Sequence, residues 1–145
     1  MEPAYVFRRA GGLSGSDLML ALFWRTSMPP SMTFVTAYVD GKHEIPRHKS
    51  LHFYVDDEIV SYSSFDTETD IKTEYDSSRV FPRYLVSSMR YVVSLLLIEK
   101  IIAAKNVKVR LDLDNSYVEG VFSDNTPTAA KPAFAKFYER LRELQ

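Results

Sequence analysis

Histidine is the residue type that most narrows the chemistry open to this chain, and all three, His43, His48 and His52, fall within ten residues. Glu44, Asp56 and Asp57 stand close by in the sequence. Neutral imidazole with carboxylate suits zinc, nickel, manganese or iron, and three protein ligands would leave a position open for water. The spacing argues against such a site. It is neither the i,i+4 pair of a helical H-E-x-x-H motif nor an H-x-H strand pair, and Pro46 sets an irregular stretch between the imidazoles. His43, His48 and His52 therefore stand as weakly patterned candidate ligands, and no metal or cofactor is expected.

Ser50, His52 and Asp56 supply the residue types of an acyl-transfer triad. No nucleophile elbow accompanies them, and strand neighbours point to opposite faces, so this set is not expected to act. Carboxylates recur at i,i+2 as Asp56/Glu58, Asp66/Glu68 and Asp112/Asp114. General acid–base work needs one carboxyl raised by an apolar pocket. These pairs sit in polar surroundings that imply exposure. Asp114-Asn115-Ser116 lacks the Gly and terminal Glu of a calcium loop. Gly11, Gly12 and Gly15 fit neither phosphate-binding pattern.

Charge is unevenly placed. The segment Asp56–Asp76 carries eight acidic residues against one lysine, Lys72, although the chain as a whole is −1. Asp66, Glu68, Asp70, Glu74 and Asp76 are the candidate partner-binding residues, as a docking face for a basic partner. Arg8, Arg9, Arg25, Arg47, Lys49, Arg79, Arg83 and Arg90 make the remaining N-terminal half basic. Together with the aromatic stretch Lys49–Val55 they give a second reading, a small RNA-binding domain. That stretch lacks the Gly of an RNA-recognition motif.

The elements that must position these residues follow from pattern. At 145 residues and 46% hydrophobic content, one domain over 1–145 with a real core is expected. There are no cysteines, which removes disulfides and thiolate chemistry. The N-terminal stretch lacks a signal-peptide apolar region, and no membrane span is expected, so the location expected is cytoplasmic. Ala4–Arg9, Met32–Val39, Leu51–Val55, Glu58–Ser63, Val107–Leu113 and Tyr117–Phe122 read as strands, and Phe65–Asp76 alternates with period two as a charged edge strand. Asp40-Gly41-Lys42 signals a hairpin. A helix is expected from about Ser16 to Thr26, and another over Pro132–Leu144 at amphipathic spacing.

The stretch Ser77–Asn106, free of Gly and with its only Pro, Pro82, near its start, reads as one central helix from about Ser78 to Lys105. On a helical wheel Arg83, Ser87, Arg90 and Ser94 form one narrow polar stripe, and apolar residues cover the rest. A helix apolar on so many sides packs on a sheet and offers a second face. Tyr84, Tyr91, Leu95, Ile98 and Ile102 are the candidate homodimer interface.

The expected fold is α+β: a mostly antiparallel sheet of about five to seven strands, a long central helix and two flanking helices, in the order β-α-β-β-β-α-β-β-α. From Ser16 onward that element order resembles the type III secretion chaperones. The resemblance implies a small cytosolic homodimer whose long second helix packs at the dimer interface and whose sheet binds extended client segments. The function expected is a non-enzymatic, homodimeric protein-interaction module that binds a partner segment. Besides RNA binding, a metal-dependent or ligand-binding enzyme using His43, His48 and His52 is the remaining alternative.

Overall fold

In the computed structural model, residues 5–10, 18–75, 83–122 and 130–145 are described. They form strands β1 (Tyr5–Ala10), β2 (Leu18–Arg25), β3 (Met32–Asp40), β4 (Leu51–Val55), β5 (Glu58–Tyr62), β6 (Asp70–Tyr75), β7 (Arg83–Ser94), β8 (Val107–Asp112) and β9 (Tyr117–Val121), and helices α1 (Leu95–Ala103) and α2 (Ala130–Leu144). Two sheets result, five-stranded in the order β1-β2-β3-β7-β6 and four-stranded in the order β5-β4-β8-β9. Every pairing is antiparallel.

The expected fold class is overturned, because the chain is mostly β. The stretch expected as a long central helix is strand β7 running directly into a short helix, and the expected first helix is strand β2. The chaperone-like element order goes with them. Of the stretch Phe65–Asp76, Asp70–Tyr75 is a strand, and Asp76 lies outside the described residues. The terminal helix and the strands at β1, β3, β4, β5, β8 and β9 lie where their patterns place them.

Both missed strands are interior to their sheet. Leu18, Leu20, Leu22 and Trp24 of β2 are buried in the core, and the small Ala21 on the other face is buried too. β7 buries Ser87, Met89, Tyr91 and Val93 inward and carries Val86, Ser88, Arg90 and Val92 on the outer face. Pairing on both sides overrides the helix propensity of Leu, Met and Ala, which differs from that of strand formers by only about 0.7 kcal/mol per residue.

The inner faces of both sheets and of α1 and α2 join one hydrophobic cluster. From the five-stranded sheet come Leu20, Leu22, Val35, Ala37 and Val93. The four-stranded sheet adds Leu51, Phe53, Val109 and Leu111, and the helices add Ile98, Ile101, Phe134 and Phe137. Fully burying one such side chain stabilises by about 1.5–3 kcal/mol. Ser94, the last residue of β7, caps helix α1, its hydroxyl accepting from Leu97 N at 3.3 Å. Helix α2 packs on β1, β2 and α1.

Asp40-Gly41-Lys42 is not a hairpin. β3 pairs with β7, and the chain leaves the sheet at Gly41 to reach β4. Gly41 has φ +99, and a Cβ there would lie 2.9 Å from His43 Nε2. The buried Ser87 hydroxyl fixes this exit, donating to Gly41 O at 2.7 Å and accepting from His43 N at 2.9 Å.

Candidate functional site

The outer face of the five-stranded sheet carries a groove. Thr36 and Tyr38 of β3, Val86, Ser88 and Arg90 of β7, and Asp70 and Lys72 of β6 form its floor and one side. The segment Phe65–Thr69 rises over it and contributes Asp66, Thr67 and Glu68. The groove so formed holds about 600 Å³. A neighbouring hollow of about 340 Å³, lined by Phe23, Arg25, Phe34, Thr36 and Arg90, continues it across the sheet.

Arg90 anchors the wall. Its backbone O accepts from Phe65 N at 2.7 Å, and its backbone N donates to Asp66 Oδ2 at 3.0 Å. Its guanidinium donates to Asp66 Oδ1 through Nε at 3.0 Å and Nη2 at 2.7 Å. It also lies 5.6 Å from the Phe34 ring and 5.3 Å from that of Phe65, which meet edge to face at 5.2 Å. Hydrogen bonding from Arg90 holds the Asp66 carboxyl below its ordinary range, against the opposing effect of burial. Ser64 Oγ donates to Asp66 O at 2.8 Å, and Thr69 Oγ1 accepts from Ile45 N at 2.9 Å, tying down both ends of the wall.

The groove has a net acidic lining. Asp66 is committed to Arg90, and Asp70 shares Lys72 at 3.3 Å on the exposed edge. Glu68 forms no ion pair among the described residues. Asp66, Glu68 and Asp70 thus come together. Glu74 stands in β6, its side chain outside the described residues, as is Asp76 altogether.

The histidines do not converge. His43 Nε2 lies 3.1 Å from Asp40 O at the exit from β3, His48 is exposed in the connecting segment, and His52 stands in β4. No group of His, Asp and Glu suited to a metal occurs among the described residues. Ser50 points inward to Tyr91, with 2.6 Å between hydroxyls, and Asp56 Oδ1 accepts from Lys105 N and Asn106 N. Neither touches His52.

Instead, His52 meets two residues that sequence neighbourhood did not suggest. On the outer face of the four-stranded sheet its Nδ1 lies 2.7 Å from Ser61 Oγ and its Nε2 2.8 Å from Asp112 Oδ2. Register makes this row: His52 stands opposite Ser61 on β5 and Arg110 on β8. Arg110 Nε donates to Asp112 Oδ1 at 2.9 Å and its guanidinium lies 3.8 Å from the Tyr117 ring. Burial would raise the Asp112 carboxyl, but the hydrogen bonds from His52 and Arg110 override it and hold the group below its ordinary range.

The proposed dimer stripe is divided by the strand. Tyr91 and Ile98 are fully buried, Leu95 and Ile102 pack partly buried against the same core, and the Tyr84 side chain lies outside the described residues. Of the arginines and lysine set aside for RNA, Arg90 and Arg25 line the two hollows, Arg47 and Lys49 are exposed in the connecting segment, and the side chains of Arg8, Arg9, Arg79 and Arg83 are not described.

No protein-family model matches the chain, and no curated protein does. A solved structure it resembles is a protein of unknown function from Burkholderia pseudomallei, at 11% identity and a TM-score of 0.41, with 90% of this chain and 83% of that one covered. A likeness at that level says nothing about activity.

Proposed function

We propose that this protein is an interaction module whose outer groove on the five-stranded sheet receives a basic side chain of a partner protein segment. The observation that carries the reading is the groove's charge. Three carboxylates, Asp66, Glu68 and Asp70, face two cations, Lys72 and Arg90, and Glu68 is left over. A lysine or arginine entering beside Glu68 meets an uncommitted carboxylate, with Tyr38 and Val86 to cover its aliphatic stem. Exposed pairs contribute about 0.2–1 kcal/mol, so this contact supplies selection by charge, and apolar and backbone contacts supply the rest.

The experiment is an amide NMR titration with capped peptides of the form Gly-Ser-X-Ser-Gly, X being Lys, Arg, Gln or Glu. Shifts confined to Thr67–Asp70, Ser88 and Arg90 with the Lys or Arg peptide, lost at high salt and in Glu68→Lys, support the reading. Equal shifts with the Glu peptide, or shifts elsewhere, overturn it.

A further inference from the structure

The outer face of the four-stranded sheet holds a different site. We propose that Ser61 is a nucleophile for acyl transfer, with His52 as its general base and Asp112 as the positioning residue. For a neutral imidazole, hydrogen-bond chemistry sets the direction of the relay. An ionised carboxylate only accepts, so His52 Nε2–H donates to Asp112 Oδ2 across 2.8 Å. In the neutral imidazole Nδ1 is then the acceptor, and Ser61 Oγ–H donates to it across 2.7 Å. That is the arrangement in which a serine proton can leave to imidazole. Arg110 holds the second oxygen of Asp112 at 2.9 Å, so the carboxylate cannot rotate away from the histidine.

Register supplies a further component. Asp112 N donates to Ser50 O and Asp56 N donates to Asn106 O, so positions of even number on β4 exchange hydrogen bonds with β8. In an antiparallel ladder the same residue cannot also exchange them with its other neighbour. His52 and Ser61 are therefore a non-hydrogen-bonded pair, with side chains at the closer of the two spacings. The Ser61 N–H then points away from β4, at the edge of the sheet, since β5 is its terminal strand. The nucleophile's own backbone N–H is one of the donors of an oxyanion hole in the serine proteases.

The next row on the same face is Ile59 opposite Tyr54, with Ile59 65% exposed. An apolar acyl chain on a serine-bound carbonyl has those side chains to lie on. The substrate class is thus an ester with a good leaving group and a short apolar acyl chain. In the step itself, Ser61 Oγ bonds to the acyl carbon as its proton passes to His52 Nδ1. The C–O bond to the leaving alcohol breaks, and that alcohol takes the proton from His52. Water then repeats the sequence and frees the acid.

The test treats the whole chain with p-nitrophenyl butyrate and with a fluorophosphonate probe, locating the adduct by peptide mass spectrometry. Expected are a burst of one p-nitrophenol per chain and phosphonylation of Ser61 but not of the exposed Ser63. General-base assistance contributes about 10²–10⁴-fold, so His52→Gln should slow labelling at least 10²-fold with Ser61 intact. Imidazole ¹⁵N shifts should show Nε2 protonated and Nδ1 bare, and Asp112→Asn should mix the two tautomers. Labelling of Ser61 no faster than of Ser63, or unchanged in His52→Gln, overturns the proposal.

Discussion

Tyr91→Phe separates the strand reading of β7 from any helical one. Tyr91 is fully buried, and its hydroxyl lies 2.6 Å from that of Ser50, which is also fully buried. Removing the phenol oxygen takes away a hydrogen bond with a net contribution of about 0.5–1.5 kcal/mol and leaves Ser50 Oγ without a partner, at a cost of about 1–3 kcal/mol. A loss of about 1–3 kcal/mol is expected, or roughly 3–10 °C in Tm for a chain of this size. Ser50→Ala strands the Tyr91 hydroxyl and should cost a similar amount. The double variant strands nothing, so its cost should fall short of the sum by about 1–2 kcal/mol. Urea unfolding followed by the single tryptophan, Trp24, which is 2% exposed, measures all four proteins.

The same residue sets an alkaline limit. Burial, opposed by the hydrogen bond with Ser50, pushes the Tyr91 phenol up to about 12. In the unfolded chain it titrates near 10, so its contribution is complete below pH 10 and is lost as pH rises toward 12. At about 1.4 kcal/mol per unit the loss approaches 3 kcal/mol. Tyr91→Phe should flatten that part of the stability profile. Additive single and double variants with an unaltered alkaline profile would refute the placement of Tyr91 between the sheets.

Three further outcomes are expected. Gly41→Ala forces an L side chain to φ +99 and its Cβ to 2.9 Å from His43 Nε2, and should cost about 1–3 kcal/mol by urea unfolding. Asp66→Asn loosens the groove wall by about 1 kcal/mol; because the Asp66 carboxyl is held low, its contribution is present above pH 4 and fades as pH falls through its folded value, so the variant's acid-unfolding curve should lose that part. Ser94→Ala removes the cap on Leu97 N and should destabilise by about 1 kcal/mol, with Ser94→Asp restoring it.

Where a side chain's environment is set by its near neighbours, the sequence was legible. β8 alternates Val107, Val109 and Leu111 inward with Lys108, Arg110 and Asp112 outward, and α2 buries Phe134, Phe137 and Leu141 at helical spacing. Those elements lie where their periods place them. The acidic residues of the groove were visible as a charged segment, but their partner Arg90 and the floor residues Thr36 and Tyr38 enter only through the β3–β7 register. His52 was visible as a chemical residue type. Its partners stand 9 and 60 residues away in sequence, a relation that only strand pairing reveals.

β7 failed for a reason that also explains its role. Its helical signature was a polar stripe of Arg83, Ser87, Arg90 and Ser94, yet Ser87 and Arg90 project to opposite faces of the sheet. Ser87 is a polar residue on the buried face, where Val or Leu would keep the period of two. It is tolerated there because its hydroxyl is fully used, on Gly41 O and His43 N, where the chain leaves for the second sheet. Val86 and Val92 are apolar on the outer face and partly buried there, Val86 within the groove beside Arg90. Two departures from simple alternation therefore sit where β7 does more than pack. Ser87 fastens the crossover between the sheets, and Val86 lines the groove whose acidic wall is held by Arg90, a polar residue in step with the alternation. Replacing Ser87 with Val would restore the strand pattern in the sequence while leaving His43 N and Gly41 O without their partner. It should destabilise the fold by about 1–3 kcal/mol for that reason.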